Sequence, residues 1–537
     1  MNTLKFLLVY IIIGLAYSCS RQDEYVQAPF EGLDTWCTND WWNRDDCPIV
    51  DLKVDRDQVI AFGIYTVANN TLKMTAQLFP LYPHESRRVV LEVKRNGAWH
   101  KIAEEEVQRV GWSAHFRIED WNSSLDVPYR LSHGKGSVFE GLIRKDPVDK
   151  NEIVLAALSC NSNNDRGMRP NYIRNISYQD PDLLFFAGDQ SYDHKEHTAA
   201  WIKFGVQFRD IIRNRPSITI PDDHDIGQGN LWGENGKKAS TPAGDDGGYF
   251  YDVDYVKMVE RCQTWHLPDP SDPTPVDRGI GVYYTNLIVG GVNFAILEDR
   301  KFKTGPLGRI PLMGKRVDLI TDPDYDPLAL DKPGLVLLGE RQLEFLDQWG
   351  DNWNGAELKV VLSQTGFCGA AHHSGNIVDS IYADLDANGW PQTGRNKALR
   401  LIKKARAIHI AGDQHLATVV QHGIDSFRDG PWAFVVPAIV NDYWNRWWLP
   451  FDEANGLNHD PENPLPFTGD YFDGFRNRIT MHAYANPETA SNGAGYGLIR
   501  FNKANSTATL ECWPRDVDVT KTEAAQFTGW PITVRLD

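Results

Sequence analysis

Leu183-Leu184-Phe185-Phe186-Ala187-Gly188-Asp189-Gln190-Ser191-Tyr192-Asp193 passes from continuous apolar residues, through a glycine, into acids and a phenol. Ile218-Thr219-Ile220-Pro221-Asp222-Asp223-His224-Asp225 has the same plan. A short apolar run without polar alternation reads as a strand buried on both faces. The pattern recurs from Ile153 to Leu158, ending in Ser159-Cys160-Asn161, and from Val292 to Leu297, ending in Glu298-Asp299-Arg300. It recurs again from Leu358 to Leu362, before Ser363-Gln364-Thr365, and from Ile408 to Ala411, before Gly412-Asp413-Gln414-His415. Between the runs, Trp201, Phe204, Phe208 and Ile211 fall on one helical face, as do Leu343, Leu346 and Trp349. Strands alternating with helices predict an α/β domain whose sheet layers are covered by helices.

In such sheets ligands collect beyond the carboxyl ends of the strands, so these polar tips should meet in one crevice. Carboxylates gathered there repel one another unless cations neutralise them, which points to a metal site. Oxygen donors together with a phenol and a thiol suit a hard, highly charged ion beside a divalent one. Two ions about 4 Å apart would clamp an ester's oxygens and supply a metal-bound hydroxide at neutral pH. Asp189, on its glycine turn, is placed to bridge the pair, and Tyr192 would aim its phenolate at the same ion. Cys160 would add a thiolate, whose pKa a cation lowers. Asp223 would hold the second ion, and His224 would protonate the leaving alkoxide. Taken singly, a Gly-Asp pair is more often a turn and a buried Cys more often a packed thiol. The run Asp222 to Asp225 makes a poor core and an expensive turn, and it carries the reading.

Upstream, residues 50–148 alternate with period two, as in Trp112, Ala114, Phe116, Ile118 and in Val127, Tyr129, Leu131, which predicts a small β-sandwich. No catalytic cluster lies in it, so its expected role is scaffolding. Near the other end, Tyr496–Phe501 and Thr507–Trp513 read as a hairpin. At the start, Lys5 precedes an apolar run from Phe6 to Leu15 and then Ala16-Tyr17-Ser18-Cys19. The run is too short to span a bilayer and suits a signal peptide over residues 1–19. Small residues before a cysteine resemble a bacterial lipoprotein signal, with Cys19 acylated and residues 20–49 as a tether; Tyr17 is uncommon in that box, and plain signal cleavage is the alternative. Export to the cell envelope is therefore expected, with the chain held on the outer membrane or cell surface through that anchor. Export permits disulfides, and Cys37 and Cys47 are close enough for a local bridge, while Cys262, Cys368 and Cys512 read as buried thiols.

The formal charge of −17 argues against nucleic acid as a partner. It leaves small phosphate esters open, because a metal inverts the local field. Among eighteen tryptophans, Trp444-Asn445-Arg446-Trp447-Trp448 would either pack in the core or line the crevice with sugar-facing rings and an anion-facing Arg446.

The order Ser159-Cys160, Gly188-Asp189-x-x-Tyr192, Asp222-Asp223-His224-Asp225, Asp299-Arg300, Gln364 and Gly412-Asp413-x-His415 resembles the PhoD-like phosphatases, a branch of the calcineurin-like metallophosphoesterases. Leu338 to Gln342, and Asp386-Ala387-Asn388-Gly389-Trp390-Pro391 with Arg395, add to the likeness. The resemblance implies a four-layer α-β-β-α catalytic domain over residues 150–537 behind the β-sandwich, holding iron (Fe3+) and calcium or another divalent cation. It places Cys160, Asp189 and Tyr192 on the iron side and Asp223 and Asp413 on the neighbouring cation. It puts His224 at the catalytic histidine and has His415 orient substrate or a ligand. Arg300 would neutralise ester oxygens or pair with Asp299, and Asn230 is a further polar candidate. The first strand lacks the Asp-x-His pair of most calcineurin-like enzymes. Gln364 stands where many carry a ligating His, Asp225 where Glu is commoner, and Asp222 follows Pro221 where many have a Trp. The expected activity is hydrolysis of phosphate mono- or diesters of small molecules or oligosaccharides. Hydrolysis of sulfated or phosphorylated polysaccharide fragments, and a non-catalytic glycan-binding lipoprotein, are the alternatives.

Overall fold

The chain is described here by a computed structural model covering residues 28–38, 41–43, 49, 54–374, 379–441, 446–450, 456–487 and 493–536. The leader with Cys19, the partner cysteine Cys47, and Trp444 and Asn445 lie outside the described residues.

Two large sheets form the main body of the chain. In the first, Ser217–Thr219, Leu183–Phe186 and Glu152–Asn161 run parallel, followed by the antiparallel Gly495–Asn502, Thr507–Pro514 and Ile532–Arg535. The second orders Thr285–Val289, Val292–Ile296, Leu358–Thr365, Ile408–Gly412, Trp432–Val435, Thr418–His422, Arg478–Tyr484 and Gly469–Phe472. Its central four strands, from Val292–Ile296 to Trp432–Val435, are parallel. Alternation along the strands builds the layers. Ile153, Leu155, Ala157, Leu183 and Phe185 pack against Val292, Phe294, Val360, Leu362, Ile408 and Ile410 in a core between the sheets. The other face of the first sheet, with Val154, Ala156, Leu184 and Phe186, lies under the helices Pro170–Gln179 and His197–Ile212. Ala295, Leu297 and Val361, on the outer face of the second sheet, meet Leu346, Trp349, Leu399 and Ile402 from the helices Gly339–Asp351 and Gln392–Lys404. This is the expected α-β-β-α arrangement, and the C-terminal hairpin is paired from Gly495 to Pro514.

Ahead of it, a three-stranded sheet (Ile60–Ala68, Thr71–Leu78, Ser113–Ile118) and a four-stranded one (Arg88–Arg95, Ala98–Glu106, Val127–His133, Ser137–Ile143) make the β-sandwich. The sandwich docks on helix His197–Ile212 through Phe62, whose ring lies 5.4 Å from that of Trp201. A Cβ at Gly205 would come within 1.9 Å of the Phe62 ring, so only glycine admits this approach.

The stretch expected as a tether is packed where it is described. Leu33, Asp34, Cys37, Trp41 and Trp42 are buried, and Trp42 rests on Phe79 at 5.6 Å. Asp34 accepts the backbone N–H of Thr198 at 2.7 Å and its hydroxyl at 2.5 Å, capping helix His197–Ile212 from a distant part of the chain. Aromatic rings and a satisfied carboxylate bind this segment down, although its polar start reads as solvated. Cys262, Cys368 and Cys512 are buried free thiols, as expected.

Candidate metal centre

The tips of four strands of the two sheets close on one point. Glu152–Asn161 delivers Cys160, Leu183–Phe186 leads into Asp189, Ser217–Thr219 into Asp222 to Asp225, and Ile408–Gly412 into Asp413. Lateral hydrogen bonds fix the meeting: Cys160 and Asn161 N–H donate to the carbonyls of Gly188 and Asp189, and Asp413 N–H to Ser159 Oγ at 3.0 Å. Backbone strain collects at the same place. Cys160, Asp189, Asp413 and His415 hold φ of 56°, 56°, 67° and 52°, a region costly for residues other than glycine and found where a site needs it.

Asp189 is central. Its Oδ2 accepts the Tyr192 hydroxyl at 2.7 Å and lies 3.8 Å from Cys160 Sγ, while Oδ1 receives the His224 backbone N–H at 3.3 Å. Tyr192 OH also meets His415 Nε2 at 2.9 Å, and His415 Nδ1 is held by Asn441 Oδ1 at 3.1 Å. Cys160, Asp189 and His415 form one set of donor atoms within 4.8 Å of one another. Asp189, Asp222, Asp223 and Asp413 form a second, and Asp189, Asp223 and His224 a third. Asp189 belongs to every set, the position of a bridging ligand.

The electrostatics fit bound cations. Burial pushes the carboxyls of Asp189, Asp222 and Asp223 well above the usual range; neighbouring acids add to it, and Arg300 opposes it at Asp222 and Asp223. Burial likewise raises Cys160 and Tyr192, with Asp189 the next cause for each. Asp223 Oδ1 is buried without a hydrogen-bond partner. Clustered carboxylates that Arg300 neutralises only in part, together with an orphaned acceptor, are what further positive charge between them would relieve. The donor set of thiol, phenol, imidazole and carboxylates therefore fits a pair of cations.

Among the described residues Arg300 is the guanidinium that pairs with the cluster's carboxylates, and its pairing corrects one of the two expected roles, the ion pair with Asp299. It does not pair with Asp299, whose carboxylate accepts the N–H groups of Gln364 and Thr365 at 3.2 and 3.0 Å. Instead Arg300, fully buried, donates to both oxygens of Asp222 at 2.6 and 3.1 Å and to both of Asp386 at 2.5 and 3.0 Å. It also lies 3.3 Å from Asp413. Gln364 donates to the Pro221 carbonyl at 3.0 Å and to Tyr283 OH at 2.7 Å, fixing the acidic loop. Asp225 accepts the N–H groups of Asp189, Gln190 and Asp222 and the amide of Gln263 at 2.8 to 3.0 Å, lacing two strand tips together. Asn230 donates to Asp318 Oδ2 at 2.9 Å. Trp448 is buried in the core, whereas Trp447 is half-buried and donates Nε1 to the Pro487 carbonyl at 2.9 Å.

The sequence reading did not anticipate His194, Asn441 or Asp386. His194 Nε2 stands 2.5 Å from His224 Nδ1 with the rings stacked. Its place two residues after Tyr192 was the available clue. Asp386 was visible only as part of a motif, and Asn441 gave no clue.

No family model and no curated protein matches the sequence. Among solved structures, PhoD is similar with a TM-score of 0.62 at 14% identity, over 90% of this chain and 92% of that one. A purple acid phosphatase from seeds of yellow lupin (Lupinus luteus) is similar with a TM-score of 0.52 at 12% identity, over 89% of this chain and 74% of that one. The chain thus has the α-β-β-α fold of PhoD and the lupin phosphatase, with a β-sandwich ahead of it.

Proposed function

We propose that this chain is an exported, metal-dependent hydrolase of phosphate mono- or diesters. The observation that carries the reading is the convergence of separate strand tips on Asp189, with Asp223 Oδ1 buried and unpartnered beside it. The fold shared with a purple acid phosphatase supports it. Cys160, Asp189 and Tyr192 would hold iron, and Asp189, Asp223 and Asp413 a divalent ion such as calcium. Bound there, the cations supply positive charge for the ester's oxygens and acidify water.

The remaining work falls to the protein. His224 has Nδ1 committed to His194, which leaves Nε2 for the leaving oxygen. Burial, then the neighbouring His194, lowers its proton affinity, and an anionic ester in the same pocket raises it again toward that of an acid. His415, held between Asn441 and Tyr192, positions the phenol. Arg300 locks Asp222, Asp386 and Asp413 in place and thereby shapes the cation cradle from behind.

Elemental analysis together with assay of aryl phosphate monoesters, diesters and sulfates tests the proposal. Phosphate-ester turnover that disappears on chelation and returns with metal is the expected result. Metal-free protein with full turnover would sink it, and turnover of sulfates alone would move the substrate to sulfated glycans. The anchor is tested apart: Cys19→Ala should release the chain from the membrane fraction. Among the described residues no helix is long and apolar enough to cross a membrane.

A further inference from the structure

A second charged frame adjoins the cation cradle. Leu319 and Ile320 pair antiparallel with Asp384 and Ala383, which brings the buried Asp318 within Coulombic reach of the buried Asp384. Like charges at that spacing need countercharge. Arg316 provides it to Asp318, donating Nε at 2.9 Å and Nη2 at 2.5 Å to the two carboxylate oxygens. Arg446 provides it to Asp384, donating Nη1 at 2.9 Å. The frame is continuous with the cradle, because Asp386, two residues beyond Asp384, holds Arg300.

The two arginines differ in what they leave over. The Arg446 side chain is 14% exposed, whereas that of Arg316 is 48% exposed. The Arg316 fork is occupied by Asp318 on one edge, and its Nη1 has no hydrogen-bond partner among the described residues. Asp318 Oδ2 also accepts Asn230 Nδ2 at 2.9 Å, which ties the Arg316–Asp318 pair to the chain leaving the Asp222–Asp225 tip. A guanidinium locked by a bidentate carboxylate, with its outer edge facing water, is pre-organised for an oxyanion.

We propose that Arg316 forms a subsite for a second anionic group on the substrate, so that preferred esters carry a further phosphate, sulfate or carboxylate beyond the scissile group. The inference rests on the ester-hydrolase reading of the metal centre, and a binding measurement lets the two fail separately. Phenylphosphonate and its 3- and 4-carboxy derivatives are not hydrolysed and differ by one anion. Calorimetric titration of each into metal-loaded wild type, Arg316→Gln and Arg316→Lys reads the subsite directly. In wild type the better carboxylated ligand should bind about tenfold tighter than phenylphosphonate, a difference of roughly 1.4 kcal/mol. Arg316→Gln should bring the ligands within about threefold, and Arg316→Lys should keep part of the preference, since it keeps the charge without the fork. An unchanged thermal midpoint shows that the variants fold. Wild type without a carboxylate preference, or Arg316→Gln with the full preference, overturns the subsite. A retained preference in protein that hydrolyses no phosphate ester would instead overturn the reading of the metal centre.

Discussion

His224 is packed between two rings, with its centroid 4.0 Å from that of Tyr192 and 4.8 Å from that of His194. Its orientation is therefore set in advance, as the proposed role of proton donor requires. His224→Ala should lower turnover by about 10²- to 10³-fold, with metal content unchanged by elemental analysis. Wild-type turnover in that variant would remove the acid role. Tyr192 stands between Asp189 and His415, so a ferric ion in that set would draw on its phenolate. Iron-loaded protein should be coloured, and Tyr192→Phe should bleach the band; a colourless iron-loaded wild type would count against the ligand. At this scale the acidic tips were legible, because carboxylates, a histidine and a phenol after apolar runs make neither good core nor good turn. The partners of Arg300 were not. Asp299 is its chain neighbour, yet the guanidinium reaches Asp222 and Asp386, which only the sheet order brings close.

At the scale of elements, the short helix Asp223–Ile226 is held by the reciprocal capping of Asp222 and Asp225. Asp225 also ties that helix to the Asp189 turn, and removing its carboxylate orphans four buried donors. Asp225→Ala should cost on the order of 3 kcal/mol or more and loosen metal binding, both measurable by denaturant titration with and without metal. Asp225→Ala with wild-type stability would show that water replaces the carboxylate. The contact between the sandwich and helix His197–Ile212 offers a second test. Gly205→Ala drives a methyl into Phe62 and should destabilise by about 1–3 kcal/mol, whereas Phe62→Ala combined with Gly205→Ala should recover part of the loss. Additive losses in the double variant would mean that the two residues do not press on each other. The helix's apolar face was readable from its 3.6-residue period, but its cap was not, since Asp34 lies 164 positions from Thr198.

Over the whole molecule, buried charge outside the candidate metal centre gives a pH signature. Glu298 is fully buried near Lys301 and Glu260, and burial pushes its pKa up to about 7. An exposed glutamate releases its proton near 4.3, so the folded state retains this proton over the interval between. The contribution to stability is then complete below about pH 4.3 and lost as pH rises through about 7. The thermal midpoint should fall between pH 5 and 8, and Glu298→Gln should fall less steeply over that range. Parallel profiles for the two proteins would show that Glu298 ionises without cost.

Periodicity alone determined the α/β class, the fully buried strands, the helical faces and the acidic strand ends, because those properties depend on neighbours within a few residues. Tertiary structure decided what depends on distant segments meeting: Asp189 as the shared donor, Arg300 bound away from Asp299, the packed segment around Trp41 and Trp42, and the Arg316 frame. A side chain's chemical type is written in its own position, whereas its electrostatic partner is set by strand order and register, which bring together residues far apart along the chain.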